Sequence, residues 1–197
     1  MLTELRSSLR PAFILLLVLA GMTGLAYPAL MTGIAQVMMP AQANGSLVTD
    51  NGKIMGSGLI AQGFAGPGYF HPRPSAAGKG YDASNSGATN LAPGSKDLRD
   101  AISARVADAR AHGMAGVSVP PDLVTTSASG LDPDLSPEAA FSQVARIARV
   151  RGLSELQVRG LVERAIAYPL LGLIGEPHVN VLLMNRQLDH MKTIPPA

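Results

Sequence analysis

Pro11-Ala-Phe-Ile-Leu-Leu-Leu-Val-Leu-Ala-Gly-Met-Thr-Gly-Leu-Ala-Tyr-Pro-Ala-Leu-Met-Thr-Gly33 contains no charged side chain, and its reading decides the architecture of the chain. As a helix the segment spans about 35 Å, enough for a hydrocarbon core of about 30 Å. Its Leu, Ile, Val and Phe side chains favour insertion by about 3–5 kcal/mol before polar terms. Pro28 and the glycines weaken a soluble helix, but a membrane helix tolerates them where neighbours re-satisfy the backbone. The charge gap is wider still, running from Arg10 to Asp50. Arg6 and Arg10 precede the apolar run, and the next basic residue is Lys53. The positive-inside rule therefore puts residues 1–10 in the cytoplasm, 11–33 across the bilayer and the bulk of the chain outside.

Residues 34–52 include Pro40, Asn44, Gly45, Asn51 and Gly52 and read as a hinge, followed by an extracytoplasmic domain over 53–197. A cleaved signal peptide is the alternative, since Ala41-Gln42-Ala43 matches an A-x-A site. The apolar run, however, is about twice the 7–15 residues of a signal-peptide core, which favours a retained anchor. Gly21, Gly24 and Pro28 fall on one side of the helix and would let another helix approach closely. The bland account is that glycines are common in membrane helices. One helix cannot form an ion pathway alone, so any transport role requires partner subunits.

Composition narrows the function classes. Setting aside Arg6, Arg10 and Glu4 leaves the remainder nearly neutral, so the formal net charge of +2 says little about partners. With 4% aromatics, no Trp and no basic run, nucleic-acid binding is not expected. The absence of cysteine excludes disulfides, thiolate metal sites and a Cys nucleophile. The polar part must fold on an ordinary apolar core.

Beyond the hinge, Lys53–Gly63 reads as a strand or strand pair broken by Gly56 and Gly58. Gly66–Gly94 is rich in Gly, Pro, Ser, Ala and Asn, yet Tyr69, Phe70 and Tyr81 predict a packed excursion rather than a disordered tail. Three helices follow. Ser95 caps the first, with Leu98, Ile102, Val106 and Ala109 as its apolar stripe and Gly113 as its end. Ser136 and Pro137 open the second, with Ala140, Val144 and Ile147 inward and Gly152 after its end. Ser154-Glu-Leu-Gln157 is a capping box for the third, Leu153 can staple onto Val158, and Leu161, Val162 and Ala165 continue the stripe towards Pro169. After Pro177, the alternation of Val179, Val181 and Leu183 predicts a half-buried strand. The expected fold is a single transmembrane helix plus a small α+β domain whose first and last strands can pair.

Catalytic motifs are weak. Gly56-Ser-Gly58 with Gly63 only loosely resembles a phosphate loop, and Gly78-Lys79-Gly80 lacks the Ser or Thr of a Walker loop. His71, His112, His178 and His190 have no metal-ligand spacing. Ser75, Ser86 and Ser129 lack a G-x-S-x-G frame. Ser127, Ser129, Asp132 and Asp134 are explained by capping and Asx turns. Arg146, Arg149, Arg151, Arg159 and Arg164 are expected on solvated helix faces, with contact to an acidic partner as the functional alternative.

Several blocks taken together carry a family resemblance. Gly68-Tyr-Phe-His-Pro-Arg-Pro-Ser75, Tyr81-Asp-Ala-Ser-Asn-Ser-Gly87 with Thr89-Asn90-Leu91, Val119-Pro-Pro-Asp-Leu-Val-Thr125, Ser127-Ala-Ser-Gly-Leu-Asp-Pro133 and Glu176-Pro-His-Val-Asn-Val-Leu182 stand in this order behind one anchor. In this the chain resembles the C subunit of the Kdp high-affinity potassium-transporting P-type ATPase. Thr89 stands where Ser is usual, and Ala92 replaces the Gly before Pro93.

The resemblance implies a non-catalytic subunit of a bacterial inner-membrane complex. Its partners would be a potassium-channel-like subunit and a P-type ATPase subunit. It would have no cofactor of its own, and ATP would enter only through the complex, as a catalytic chaperone effect on the P-type subunit. The partner-contact candidates are Gly21, Gly24 and Pro28 on the helix and Tyr69, Phe70, Arg73, Pro74, Ser75, Tyr81, Ser86 and Asn90 in the excursion. A membrane-anchored serine hydrolase and a free extracytoplasmic ligand-binding module are the competing classes.

The anchor reading is checked by fractionation. A C-terminally tagged chain is expected in the membrane fraction at full length. A soluble product shortened by about 43 residues would instead identify a cleaved signal peptide.

Overall fold

A computed structural model describes residues 2–114, 118–169, 172 and 174–191. The chain divides into two compact units, Met1–Leu47 and Val48–Ala197.

The N-terminal unit is one long helix in three parts: α1 (Leu2–Gly21), a π-helical turn (Met22–Ala26) and α2 (Tyr27–Met38). The apolar stretch Arg6–Met38 is 33 residues long and longer than the sequence expectation, or about 50 Å as a helix. None of its most apolar window is buried within the chain. Pro28 explains the wide turn. It has no N–H for the Gly24 carbonyl, and its ring crowds that same oxygen four residues back. The helix opens by one residue there, so that Tyr27 N–H donates to Met22 O, and the axis continues.

Past Met38 the chain turns back through α3 (Pro40–Ala43). The Asn44 side chain donates to Gln36 Oε1 (3.1 Å) and to Pro40 O (2.7 Å), and Ser46 N–H donates to Ala41 O (2.9 Å). The segment expected to be a hinge is hydrogen-bonded.

In the second unit, β1 (Leu47–Asp50) and β2 (Lys53–Ser57) form a two-stranded sheet. Asn51 (φ 48°) and Gly52 (φ 77°) join them, as a hairpin with a primed two-residue turn requires. A second sheet has the order β3 (Asp134–Leu135), β5 (His178–Asn180), β4 (Ile166–Ala167), all antiparallel, with Val179 opposite both Leu135 and Ile166. The class is α+β, as expected. The pairing is not: the strand over 53–57 pairs with 47–50, and the last strand pairs with 134–135 and 166–167.

Helices α4 (Lys96–Ala111), α5 (Pro137–Phe141), α6 (Val144–Arg151), α7 (Glu155–Ala165) and α8 (Val181–Asp189) complete the unit. The expected caps are in place: Ser95 accepts from Leu98 N–H, Ser136 from Ala139 N–H, and Ser154 with Gln157 forms the full capping box. Gly152 is left-handed at φ 63° and ends α6. The stripe on α4 is only half-buried, and that helix has no buried residue.

Two expectations change. The single helix from Ser136 to Gly152 breaks at Ser142–Gln143. The C-terminal strand is only three residues long, because the Asn180 side chain accepts from Leu183 N–H and starts α8. Val181, Leu182, Met184, Asn185 and Leu188 are buried at helical spacing. The alternation of Val179, Val181 and Leu183 is a coincidence of two elements.

The core gathers Phe70, Leu135, Ile147, Leu161, Val162, Val179, Met184 and Leu188. Phe70 comes from the excursion, which is packed as expected, and two buried amides hold its backbone there. Phe70 N–H donates to Asn185 Oδ1 (2.8 Å), and Asn185 Nδ2 donates to Phe70 O (2.9 Å). His71 N–H donates to Gln143 Oε1 (2.8 Å), and Gln143 Nε2 donates to His71 O (3.1 Å). Gln143 and Asn185 are each 1% exposed. Their amides replace the strand ladder that an extended segment in a core otherwise needs.

The arginines are also corrected. Arg146 is buried, its Nη2 donating to Gln143 Oε1 (2.6 Å) and its Nη1 to Pro67 O. Arg151 donates through Nε to Gly68 O (2.7 Å), pairs with Asp189 (2.8 Å) and lies 4.5 Å from the centre of the Tyr69 ring. Both serve the excursion rather than solvent. Arg149, Arg159 and Arg164 are exposed, as expected.

Asn185→Ala leaves the Phe70 N–H and C=O buried without partners. We expect a loss of about 2–4 kcal/mol, seen as a lower denaturant midpoint. Leu156→Ala, on an exposed position of α7, is expected to change stability by less than about 0.5 kcal/mol.

Candidate functional site

Residues 66–94 contain no helix or strand, so their backbone groups must be satisfied in other ways. The main solution is a knot between this excursion and residues 126–132. Arg73 Nη1 pairs with Asp132 Oδ2 at 3.0 Å, and its Nη2 donates to Thr126 O at 3.5 Å. Tyr81 Oη donates to Arg73 O (2.9 Å). Ser75 Oγ donates to Gly130 O (2.6 Å) and accepts from Ala77 N–H (3.1 Å) and Tyr81 N–H (2.8 Å). Ser86 Oγ and Gly87 N–H both donate to Ser129 O at 2.9 Å.

Gly130 is where the two segments of the knot pass closest to each other. Its φ is +68°, and a Cβ there would stand 2.7 Å from both Ala77 N and Gly87 O. Backbone atoms cannot yield as a side-chain tip can, so only glycine fits. Tyr81 also adopts a positive φ (56°), which is uncommon for a bulky residue. Its two hydrogen bonds to Arg73 and Ser75 hold it there.

The expected contact residues divide accordingly. Arg73, Ser75, Tyr81 and Ser86 come together in the knot, with Pro74 half-buried among them. Phe70 is fully buried and belongs to the core. Tyr69 is half-buried against Arg151 and Phe64, with its hydroxyl 3.4 Å from Asp189. Asn90 is exposed, with φ 51°. Gly21, Gly24 and Pro28 lie in the N-terminal unit, where a Cβ added at Gly21 or Gly24 would meet nothing within 4 Å. The same helix carries a shallow apolar groove along Ala29, Leu30, Gly33, Ile34 and Val37.

Electrostatics follows burial. Desolvation lowers the pKa of His71, whose Nε2 lies 3.0 Å from Gly66 O, and the nearby Arg146 charge lowers it further. The imidazole is therefore held neutral. Acidification protonates it first in the unfolded chain, so His71 costs stability as the pH falls below its ordinary range. Burial raises Tyr81 and Asp134, the latter opposed by His178 across the sheet. Asp82 is lowered by the hydroxyl and N–H of Ser84.

The chemistry of this arrangement is structural. The Ser75 hydroxyl commits its proton to a carbonyl rather than to a base. Among the described residues, no group of three His, Asp or Glu could hold a metal. What the knot produces is a fastened surface whose tip, Asp82–Ser86 together with Thr89 and Asn90, faces solvent. Sequence reasoning missed Gln143 and Asn185, which carry the excursion. A buried amide has no local signature, and the only hint was a Gln three residues before an Arg on an otherwise apolar helix face.

The family model described as KdpC: K+-transporting ATPase, c chain, matches residues 9–190. The potassium-transporting ATPase KdpC subunit of Rhodospirillum rubrum is 50% identical over 183 residues, covering 92% of this chain and 95% of the relative. That of Nitratidesulfovibrio vulgaris is 52% identical over 191 residues, covering 96% and 95%. That of Rhodopseudomonas palustris is 51% identical over 192 residues, covering 91% and 95%. With the match running from the N-terminal helix through α8, the chain belongs to the KdpC family, the C chains of potassium-transporting ATPases.

Proposed function

We propose that this KdpC chain is an accessory, non-catalytic subunit, fixed in a bacterial inner membrane by one helix, that assembles and steadies the potassium-translocating complex. The observation that carries this reading is the Arg6–Met38 helix, whose most apolar window is 0% buried within the chain. So much unpartnered apolar surface requires lipid or other helices. The partners proposed are a potassium-channel-like subunit and a P-type ATPase subunit. The Gly21/Gly24/Pro28 side and the groove at Gly33 are the helix-packing surfaces, and the fastened tip from Asp82 to Asn90 is the docking surface of the outer domain.

Topology constrains the mechanism. With Arg6 and Arg10 in the cytoplasm, the folded domain is extracytoplasmic, across the bilayer from the ATP pool. An influence on ATP affinity must then be a coupling free energy transmitted through the partner subunits rather than a shared nucleotide site. A steadying or gating role over the outer mouth of the channel-like subunit fits that constraint. Potassium itself need not be touched by this chain.

Two measurements test the reading. In Glu163→Cys, placed on exposed α7 of a chain with no native cysteine, the thiol is expected to react with a membrane-impermeant maleimide in whole cells. Labelling only after lysis would reverse the topology. Asn90→Arg is expected to cut co-purification with the two larger subunits about 10-fold or more with thermal stability unchanged, as a buried charge at an interface costs several kcal/mol. Ser75→Ala breaks the knot itself and is expected to lower stability by about 1–3 kcal/mol. Undiminished association of Asn90→Arg would remove the tip from the interface.

A further inference from the structure

Pro28 leaves an acceptor behind in the N-terminal helix. In a regular α-helix the Thr23 carbonyl would take the N–H of Tyr27, but that N–H donates to Met22 O. In the wider π turn it would take the N–H of residue 28, and proline has none. Thr23 O is therefore without a backbone donor in its own helix. Among the described residues no side chain supplies one. The Thr23 hydroxyl, the nearest candidate, gives its proton to Leu19 O at 2.8 Å.

The depth of this carbonyl decides what it needs. Thr23 lies near the middle of the uncharged run from Pro11 to Gly33, with about 15–18 Å of apolar helix on either side. Water is scarcest at that depth, and a backbone acceptor in hydrocarbon has to be satisfied by a neighbouring helix or side chain. Access is open. Thr23 is exposed, Gly24 follows its carbonyl, and Ala26 stands on the side towards which a helix carbonyl points. A Cβ added at Gly24 would meet nothing within 4 Å, so a second backbone can come close. All of this lies within the N-terminal unit.

We infer that a transmembrane helix of a partner subunit crosses this one at the π turn and donates a side-chain hydrogen bond to Thr23 O. The donor is an uncharged hydroxyl, carboxamide or imidazole, the groups that bond between helices in lipid. This rests on the accessory-subunit reading above and deepens it by naming the atom that the partner meets. Lipid cannot replace the helix, because acyl chains carry no donor at mid-bilayer. The occupant is a helix of another subunit because the family is that of an ATPase c chain, which has other chains beside it. The proline thus acts as more than a kink: by removing one N–H it opens a polar contact in an otherwise apolar span.

The sequence provides its own control. Thr–Gly occurs only at Thr23–Gly24 and Thr32–Gly33, the second inside regular α2. With the threonine carbonyl carbon and the glycine nitrogen isotopically labelled, carbon–nitrogen correlation NMR of the full-length chain in bilayers selects those two carbonyls. When the unlabelled partner subunits are added, the Thr23 carbonyl resonance is expected to move downfield, as hydrogen bonding requires, and that of Thr32 to stay. Pro28→Ala returns an N–H, so the turn can close to α and Tyr27 N–H can reach Thr23 O. Its co-purification with the partners is expected to fall about 3- to 20-fold, the worth of one interhelical hydrogen bond, with the thermal midpoint of the second unit unchanged. A Thr23 resonance that stays put on assembly would overturn the contact. So would one already downfield in the dilute chain alone, where water is the donor, or one that moves with chain density alone, where a second copy is. Undiminished co-purification of P28A would count against it equally. Failure of the unaltered chain to co-purify at all would instead overturn the accessory-subunit reading.

Discussion

Four backbone groups decide how the second unit packs: the N–H and C=O of Phe70 and of His71. They lie in an extended segment without strand neighbours, at a place where Phe70 is fully buried. Unpaired, they would cost about 1–3 kcal/mol each, enough to keep the segment out of the core. Asn185 from α8 and Gln143 from between α5 and α6 each offer one donor and one acceptor in the geometry of a neighbouring strand. With those amides in place the aromatic ring can enter the core, and everything downstream of it is held to the domain.

The same amides organise the charges around them. Gln143 Oε1 also accepts from Arg146, which explains an arginine at 7% exposure beside an apolar cluster: its charge is spent on Gln143 and a carbonyl of the excursion. Arg151 repeats the arrangement one turn later with Gly68, Tyr69 and Asp189. A residue type that sequence statistics put in solvent is here a backbone clamp. Arginine can do this because its planar fork supplies several donors while its stem packs as hydrocarbon.

The sequence blocks Gly68–Ser75, Tyr81–Gly87 and Ser127–Pro133 are parts of this clamp and of the knot beside it. Arg73 and Ser75 bond to Asp132 and Gly130, Tyr81 bonds to Arg73 and Ser75, and Gly130 admits no side chain because a Cβ there would stand 2.7 Å from the backbone of both Ala77 and Gly87. Specific residues with no reactive role are what a long loop needs when it must be both irregular and rigid. The solvent-facing residues left over, from Asp82 to Asn90, inherit a defined conformation from them.

The amino-acid sequence by itself determined a long apolar N-terminal helix, because an uncharged run of that length satisfies its backbone internally and is long enough to cross a bilayer. It also determined the starts of α4, α5 and α7, because a capping side chain acts on backbone groups within three residues of itself. The α+β class followed from the same local patterns. Only the tertiary structure decided three things. Asn51-Gly52 turns a hairpin rather than a hinge, because β2 takes β1 as its partner. Val181 begins a helix, because Asn180 caps it and the core receives its face. Arg146, Gln143 and Asn185 lie inside, because the groups they satisfy are 72 to 115 residues away in the chain for the two amides. Interactions that span such separations leave no periodic trace in the sequence, since neither partner constrains its own neighbours.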